Sequence, residues 1–417
     1  MNNSKNTVST KPFIIAWALG LIFYFLEYAI RSSPAVMIAE LSQAFHVNAV
    51  GVSAIAGTYY YTYSVTSLIA GIALDRAGAK YSLSIGTVIV GLGCLLFSVS
   101  HLYAGNAGRL LQGMGSAFAF PGCVYLASRG FSPRSLATAI GATQCLGMLG
   151  GSAGQFVVGP LLRGGMPVST FWISIGITTL LVGILLFAVT PYDKAGYHTS
   201  AQAGKGGLLS PYKIVFTNRQ SYLSGLISGL LFAPTTIFAM TWGVAFFQKD
   251  RMLDYHSATL ACAMVPMGWV FGCPFLGWLA DFLGKRKPVL IGGAAFMIIS
   301  LVQLLFLPHL IPVYVSTFIL GVASGVAMIP YSVIKESNPD EVKGSATGAI
   351  NFLTFGVTAL LGPIFSKLSG KTLANNLDQE AHFRAAGCFW IIGIAAAIIF
   401  SLLLRETGQG RKAVVKS

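Results

Sequence analysis

Three charged side chains lie inside long apolar runs of this 417-residue chain: Glu27, Arg31 and Arg109. Charge is costly within a bilayer, so such residues usually serve a function. Glu27 and Arg31 are four residues apart and share one face of a helix. An arginine fork binds a carboxylate through two hydrogen bonds, and a glutamate can carry a proton or face an ammonium group. The three residues predict a buried site for a small solute with a carboxylate.

The charge balance of this group also favours an anionic partner. Two arginines and one glutamate leave one net positive charge, which a carboxylate on the solute would neutralise. At a rise of about 1.5 Å per residue, Glu27 lies roughly 15 Å and Arg109 roughly 10 Å below the same outer surface of the membrane. The three side chains can therefore meet at a similar depth. Arg31 is the candidate for the carboxylate, and Glu27 for an amine or a coupling proton. A static Glu27–Arg31 pair that braces helices is the alternative, and Arg109 fits a structural or a coupling role.

The elements that carry these residues are membrane helices. The chain is 54% hydrophobic and 10% charged, whereas a soluble domain has about 25% charged residues. Apolar runs of about 20 residues, each sufficient to cross a bilayer, occur twelve times. The sequence therefore predicts an all-α polytopic membrane protein. Its spans 1 to 12 are expected at approximately 13–36, 51–74, 81–100, 103–127, 136–162, 169–190, 221–247, 257–280, 288–307, 312–334, 344–368 and 383–404.

One long polar interruption, at 191–220, divides the spans into two sets of six. The expected organisation is a tail at 1–12, a six-helix bundle at 13–190, a linker at 191–220, a second six-helix bundle at 221–404 and a tail at 405–417. Of the 27 Lys and Arg residues, 19 fall on the side of the N-terminus and 6 on the other. The positive-inside rule then places both termini in the cytoplasm of a bacterial inner membrane. The net charge of +14 reflects this topology and does not indicate nucleic-acid binding.

A short phrase occurs twice, each time between two apolar runs, and shows that the halves are related. Glutamine and asparagine also occupy equivalent positions in spans 5 and 11, at Gln144 and Asn351. Internal repeats with a site at their interface are typical of secondary transporters. The residues of the phrase are Gly71, Asp75, Arg76, Gly78 and Lys80 in the first copy and Asp281, Gly284 and Arg286 in the second.

The doubled phrase resembles the loop signature of the major facilitator superfamily, G-x-x-x-D-[R/x]-x-G-x-[K/R]. The Arg109-Leu-Leu-Gln112-Gly113 stretch of span 4 resembles that superfamily's R-x-x-x-G motif. The resemblance extends over all twelve spans. It implies two pseudo-symmetric six-helix bundles around a central cavity, alternating access, and a gate in which the loop residues named above close the cytoplasmic side.

Within that superfamily, the run from Tyr24 to Pro34 resembles the lysosomal dipeptide transporter group and its bacterial relatives. It is less similar to the organic anion:cation symporters, which carry a Tyr-x-x-Arg in span 1. The Gly-Pro stretch of span 5 only loosely resembles the pattern of drug antiporters, which disfavours an exporter. The resemblance thus implies a dipeptide or amino-acid-like solute.

Other polar and aromatic residues are candidates to line the same cavity. Tyr59 and Tyr63 share one face of span 2, although tyrosines near span ends often anchor a helix at the membrane surface. Gln144 and Asn351 either face each other across the cavity or bond within their own halves. Tyr24 in span 1 and Trp242 in span 7 complete the predicted lining.

Other classes of protein fit less well. All six histidines lie in loops or at span ends, and no phosphate-binding loop is present, which argues against an intramembrane protease and an ATP-driven pump. The six cysteines lack metal-binding spacing. We expect a monomeric transporter, not an enzyme, with a small-molecule substrate, protons as a candidate coupling ion, the lipid bilayer as its surroundings, and no cofactor or metal. A proton-coupled organic anion symporter, a drug or metabolite exporter and a sensor that does not transport are the alternatives.

Overall fold

A computed structural model describes residues 10–192, 210–249, 251–339, 342–374 and 379–408. Throughout these ranges the regular elements are helices, with no β-strand, which confirms the predicted all-α class. Within the described residues, ten helical segments are long and apolar enough to cross a membrane. They are Lys11–Val36, Arg76–Phe97, Leu102–Gly130, Thr138–Arg163, Val168–Val189, Arg219–Lys249, Tyr255–Leu283, Lys287–Phe306, Val313–Glu336 and Gly344–Leu368, which correspond to predicted span 1 and spans 3 to 11.

The two remaining predicted spans also fall on helices. Span 2 is the first part of the helix Ala49–Phe97, which breaks at Gly78 because that residue adopts φ 71° and ψ 176°. A positive φ is readily adopted by glycine, so the sequence permits a sharp turn here without a loop. Span 12 is the apolar segment Gly387–Leu403. All twelve predicted spans are therefore helical.

The helices of the first 192 residues are Lys11–Ser32, Ser33–Val36, Ile38–Phe45, Ala49–Phe97, Leu102–Ser116, Ala119–Gly130, Pro133–Phe156, Val158–Arg163 and Val168–Val189. Those that follow are Ser210–Thr217, Arg219–Ala233, Pro234–Trp242, Gly243–Lys249, Tyr255–Leu283, Lys287–Phe306, Val313–Ser324, Gly325–Met328, Ile329–Glu336, Lys343–Ala374 and Gln379–Leu403. Ser33–Val36 and Gly325–Met328 are 3₁₀ turns, and Pro234–Trp242 is a π-helix.

The structure differs from the prediction in the irregularity of several spans. The π-helix widens the middle of span 7, and it begins at Pro234, whose ring removes a helical hydrogen-bond donor. The predicted linker is partly helical, because Ser210–Thr217 forms a helix of its own and span 7 begins at Arg219. The rest of that predicted linker, and both predicted tails in large part, lie outside the described residues.

Glycines bring the helices around Arg31 into close contact. A Cβ atom on Gly150 of span 5 would lie 2.1 Å from the carbonyl oxygen of Phe25 in span 1. A Cβ atom on Gly113 of span 4 would lie 2.1 Å from the carbonyl oxygen of Tyr59 in span 2. Small residues permit such contacts between membrane helices. They fix span 1 against span 5 and span 2 against span 4, and so position the charged side chains.

Candidate functional site

Glu27 and Arg31 form a buried ion pair that Tyr59 completes. The Nη2 group of Arg31 donates to Oε1 of Glu27, and the Tyr59 hydroxyl donates to the same oxygen. Arg31 also donates to that hydroxyl from Nε at 3.2 Å and from Nη2 at 3.1 Å. Glu27 is 0% and Arg31 2% exposed. The pairing follows from the four-residue spacing in span 1, and span 2 supplies the tyrosine.

Aromatic rings enclose the Arg31 guanidinium group. Its Cζ atom lies 4.2 Å from the ring centroid of Tyr28, 4.8 Å from that of Tyr63 and 5.1 Å from that of Phe355. A cation over an aromatic face is attracted to it, more strongly when water is excluded. Phe355 belongs to span 11, so both halves of the chain contribute to the surroundings of Arg31.

Arg109 lies behind Tyr59 and connects three spans. It donates from Nη1 to the carbonyl of Ile30 at 3.2 Å and to Oε1 of Gln112 at 2.7 Å, and from Nη2 to the carbonyl of Ala56 at 3.3 Å. Its Cζ atom is 4.9 Å from the Tyr59 ring centroid. These contacts tie span 4 to spans 1 and 2. The sequence left Arg109 either a structural or a coupling role. Hydrogen bonds that join three spans are what a structural role requires.

Two polar atoms of the ion pair have no partner among the described residues. They are Nη1 of Arg31 and Oε2 of Glu27, and both are buried. A buried donor or acceptor without a hydrogen bond is costly. The pair therefore retains one donor of a cationic group and one acceptor of an anionic group without a hydrogen bond in the described structure.

The predicted pair of amides does not meet across the cavity. Gln144 accepts a hydrogen bond at its Oε1 from the hydroxyl of Tyr24, at 3.3 Å, within the first half. Asn351 accepts one at its Oδ1 from the hydroxyl of Tyr331, at 2.6 Å, within the second half. Of the two arrangements left open by the sequence, the structure has the bonds within each half.

Of the other residues predicted to line the cavity, Tyr63 lies next to Arg31, whereas Tyr24 and Trp242 pack against other aromatic rings. Tyr63 stacks on Tyr59, with ring centroids 5.7 Å apart. It belongs to the Arg31 cluster, which comprises Glu27, Tyr28, Arg31, Tyr59, Tyr63 and Phe355. Tyr24 packs edge-on against Tyr28 at 5.1 Å. Trp242 lies in the π-helix, where its ring packs edge-on against Phe365 at 6.4 Å rather than against Arg31.

Sequence reasoning did not identify three residues of this site: Tyr28, Tyr331 and Phe355. Tyr28 was detectable, because it lies four residues after Tyr24 on the same face of span 1. Phe355 likewise lies four residues after Asn351, on the same face of span 11. For Tyr331 no sequence signal existed, since its place depends on how spans 10 and 11 pack.

The two halves contact each other on both sides of the cluster. On the side of the 191–220 linker, Ser64 Oγ donates to the carbonyl of Phe352 at 2.7 Å. On the opposite side, Gln155 Nε2 donates to the carbonyl of Ala239 at 2.7 Å. The Tyr255 hydroxyl also donates to the carbonyl of Val36 there. Together with the burial of Arg31, these contacts describe a form closed at both ends.

The first copy of the loop phrase forms the turn between spans 2 and 3. Gly78 makes the turn itself. Lys80 donates from Nζ to the carbonyls of Phe187, at 2.7 Å, and Thr190, at 3.0 Å, at the end of span 6. Arg76 is exposed, and the side chain of Asp75 lies outside the described part of the structure. The role of Asp75 in the gate thus stays a prediction.

Gly71, the first residue of this phrase, lies against the linker helix. A Cβ atom on Gly71 would lie 3.1 Å from the hydroxyl oxygen of Tyr212, and one on Gly348 of span 11 would lie 2.7 Å from it. The Tyr212 hydroxyl donates to the carbonyl of Leu68 at 2.7 Å. Tyr212 thus inserts between spans 2 and 11 where both carry glycine.

The second copy of the phrase forms a charged network. Gly284, at φ 60°, ends the helix Tyr255–Leu283. Arg286 donates to Asp281 at 2.6 Å and to Glu336 of span 10 at 2.7 Å. Burial alone would lower the pKa of Arg286, but its hydrogen bonds with Glu336 and Asp281 outweigh burial and raise that pKa. Arg286 therefore stays charged and joins the loop to span 10.

The segment after span 12 also binds this loop. The Glu406 carboxylate accepts hydrogen bonds from the backbone N–H of Arg286, at 2.6 Å, and of Lys287, at 3.1 Å. Burial tends to raise the pKa of Glu406, but the backbone donors outweigh it and lower that pKa. An anionic side chain at a helix N-terminus is favourable. Glu406 thereby caps span 9.

Comparison with known proteins agrees with this architecture. Residues 20–363 match the sequence profile of the Major Facilitator Superfamily. The Membrane sensor protein UhpC of Escherichia coli (strain K12) is 25% identical over 91% of this chain and 89% of its own. A Probable hexose phosphate transport protein of Chlamydia pneumoniae is 24% identical over 65% of each chain. A bacterial homolog of the human lysosomal transporter Spinster, solved in an inward-facing, unoccupied conformation, has the same fold, with a TM-score of 0.73, 14% identity and coverage of 94% of this chain and 97% of its own.

Proposed function

The chain belongs to the Major Facilitator Superfamily, and on that basis we propose that it is a secondary transporter of a small carboxylate-bearing solute. The leading solute class is a dipeptide or an amino-acid-like zwitterion. Alternating access would arise from rocking of the bundles 13–190 and 221–404 about the Arg31 cluster. We place the protein in a bacterial inner membrane with both termini in the cytoplasm, as the distribution of Lys and Arg predicts.

The observation that carries this proposal is the pair of unpartnered atoms on Arg31 and Glu27. The Nη1 donor of Arg31 fits a carboxylate oxygen, and Oε2 of Glu27 fits an ammonium group or a proton. A zwitterion would satisfy both atoms at once. While Glu27 is ionised, the net charge of Glu27, Arg31 and Arg109 is one positive charge, which a single carboxylate neutralises. A solute that also carries an ammonium group leaves this one positive charge in place.

A sugar phosphate or another organic anion is the second candidate, and the similarity to the hexose phosphate transport protein favours it. A phosphate ester carries about −1.5 to −2 charges at neutral pH. We assign Arg31 as its cationic ligand, because Arg109 bonds two backbone carbonyls through its Nη atoms and keeps only Nε without a partner in the described structure. A single arginine with a glutamate beside it suits a carboxylate better than a phosphate. Because the chain is also similar to a membrane sensor, a third candidate function is a sensor that does not transport its solute.

Uptake into proteoliposomes tests the proposal. The panel contains dipeptides, amino acids, small organic acids and sugar phosphates, each with and without an inward proton gradient. We expect dipeptide uptake that protein-free liposomes lack. Uptake of organic acids or sugar phosphates alone would replace the zwitterion with an anion, and no flux for any solute would favour the sensor. If Glu27→Gln and Arg31→Lys both transport normally, the site assignment is wrong.

A further inference from the structure

We propose that Tyr331 and Asn351 form a second subsite, which binds an uncharged acceptor oxygen of the same solute, such as a peptide carbonyl. The inference rests on the proposed function, because it concerns the solute whose carboxylate Arg31 binds. It adds a contact from the second half of the chain, which contributes no buried charge among the residues that the structure describes.

The first step is the orientation of the Asn351 amide. The Tyr331 hydroxyl donates to its Oδ1 atom at 2.6 Å, so the acceptor of the amide is already occupied. Its Nδ2 group is buried and has no hydrogen-bond partner within the described ranges. Tyr331 is 7% and Asn351 2% exposed. The arrangement leaves one neutral donor, fixed in direction by the tyrosine, in a place that water does not reach.

The second step is the position of this donor relative to Arg31. Asn351 and Phe355 are four residues apart on span 11 and share a face of that helix. Phe355 in turn contacts Arg31, whose Cζ atom lies 5.1 Å from its ring centroid. The amide therefore belongs to the side of the site opposite span 1.

The third step is the chemistry of the unpartnered atoms taken together. Span 1 offers a cationic donor on Arg31 and an anionic acceptor on Glu27, and span 11 offers a neutral donor on Asn351. A simple amino acid has a carboxylate and an ammonium group but no further acceptor. A dipeptide adds a carbonyl oxygen between its two charged ends, which is the group that a neutral amide donor recognises.

The fourth step concerns transport. A solute that bonds to Arg31 and to Asn351 joins the two halves of the chain. A solute that bonds to Arg31 alone leaves the Asn351 donor unsatisfied in the closed form. The closed form is then favoured for the solute with the carbonyl, so the subsite determines specificity as well as affinity.

Glycylglycine and 5-aminopentanoate provide the test. Both are zwitterions with the same chain length, and they differ in the peptide group. We measure the inhibition constants of both for uptake of radiolabelled glycylglycine, and direct uptake of both, in the wild type and in Asn351→Ala and Tyr331→Phe. Asn106→Ala, whose amide bonds within its own helix to Leu102, and Tyr222→Phe, on an exposed tyrosine, are the matched controls.

The wild type should prefer glycylglycine by about tenfold, the effect of one buried hydrogen bond. Asn351→Ala should remove this preference and retain uptake of 5-aminopentanoate, which also shows that the variant is folded. In Tyr331→Phe the amide can rotate, so the preference should fall by a smaller factor. Both controls should keep the full preference.

The contrary results are distinct from failure of the proposed function. If the wild type takes up zwitterions but does not distinguish the two, or if Asn351→Ala keeps the preference, the subsite is refuted and the Arg31 site stands. If Asn351→Ala takes up neither compound, the test rests on Tyr331→Phe. A preference of Tyr331→Phe for glycylglycine equal to that of the wild type then refutes the subsite. No uptake of either compound by the wild type would instead overturn the zwitterion proposal itself.

Discussion

Phe355 of span 11 covers the guanidinium group of Arg31 in span 1, with Cζ 5.1 Å from the ring centroid. The same ring packs edge-on against Tyr63 at 4.4 Å and against Phe232 at 5.3 Å. An aromatic residue of one half thus shields the buried charge of the other.

We expect Phe355→Leu to weaken solute binding and to slow uptake. Leucine keeps an apolar side chain but removes the cation–π contact, which is worth about 1 kcal/mol, or roughly fivefold in affinity. Phe355→Tyr should keep most of the activity. Uptake kinetics in proteoliposomes give the measurement, with Phe271→Leu on an exposed phenylalanine as the control. Equal KM values for Phe355→Leu and the wild type would contradict a role for the ring.

Glu27→Gln should separate exchange from accumulation. Glutamine keeps the size of the side chain and an acceptor for Tyr59 but can neither bind a proton nor neutralise Arg31. If Glu27 carries the coupling proton, the variant should exchange internal for external solute yet fail to accumulate it when an inward proton gradient is applied. Counterflow and gradient-driven uptake are measured on the same liposomes. Accumulation at the wild-type level would show that coupling does not depend on Glu27.

Arg109→Lys should reduce stability more than it alters specificity. Arg109 bonds the carbonyls of Ile30 and Ala56 from two nitrogens, and an ammonium group on a single stem cannot reach both. Loss of these charge-assisted bonds should cost roughly 2–3 kcal/mol. Thermal unfolding in detergent should show a lower Tm, with the order of preferred solutes unchanged. A normal Tm with altered solute preference would assign Arg109 to the binding site instead.

The sequence predicted the fold well because each span is a long apolar run whose ends are polar. It did not predict the turn geometry at Gly78, the π-helix at Pro234–Trp242 or the helix Ser210–Thr217. Glycine and proline in an apolar run permit several backbone paths, and packing between helices selects one. The short helix has eight residues, too few to stand out as a span.

The charged part of the site was predictable for a similar reason. Charge is rare in an apolar run, so Glu27, Arg31 and Arg109 are conspicuous, and a spacing of four residues implies the Glu27–Arg31 pair. Phe355 is one of 28 phenylalanines and has no such distinction. Its four-residue spacing from Asn351 places it on the same face of span 11, but its contact with Arg31 depends on how the two halves pack, which no local pattern encodes. Tyr331 could not be predicted either, because its contact with Asn351 depends on how spans 10 and 11 pack.

Glu406→Gln should release the segment that follows span 12. The lowered pKa of Glu406 means that its cap on span 9 is complete above the ordinary pKa of a glutamate and is lost only as the pH falls through the lowered value. The neutral variant imitates the protonated form at neutral pH. Backbone hydrogen–deuterium exchange at residues 404–408 should then be faster than in the wild type, as mass spectrometry would show. An unchanged rate would mean that the other contacts of the segment hold it without Glu406.

Gly348→Ala should shift the protein toward a form open on the linker side. An added Cβ atom would lie 2.7 Å from the Tyr212 hydroxyl oxygen and 3.0 Å from the carbonyl oxygen of Ser67, so spans 2 and 11 must separate there. Gly362→Ala in the same helix is the matched control, because no atom lies within 4 Å of its added Cβ. Both variants raise helix propensity equally, so a difference between them reports the contact with Tyr212.

The measurement for this pair is the labelling rate of a cysteine introduced at Tyr63, in a background in which the six native cysteines are replaced. A membrane-impermeant thiol reagent is applied in turn from each side of oriented vesicles. We expect faster labelling from the linker side in Gly348→Ala, slower labelling from the opposite side, and no change in Gly362→Ala. Faster labelling from both sides would indicate general loosening of the helices, and equal rates in the two glycine variants would show that Tyr212 does not hold this end closed.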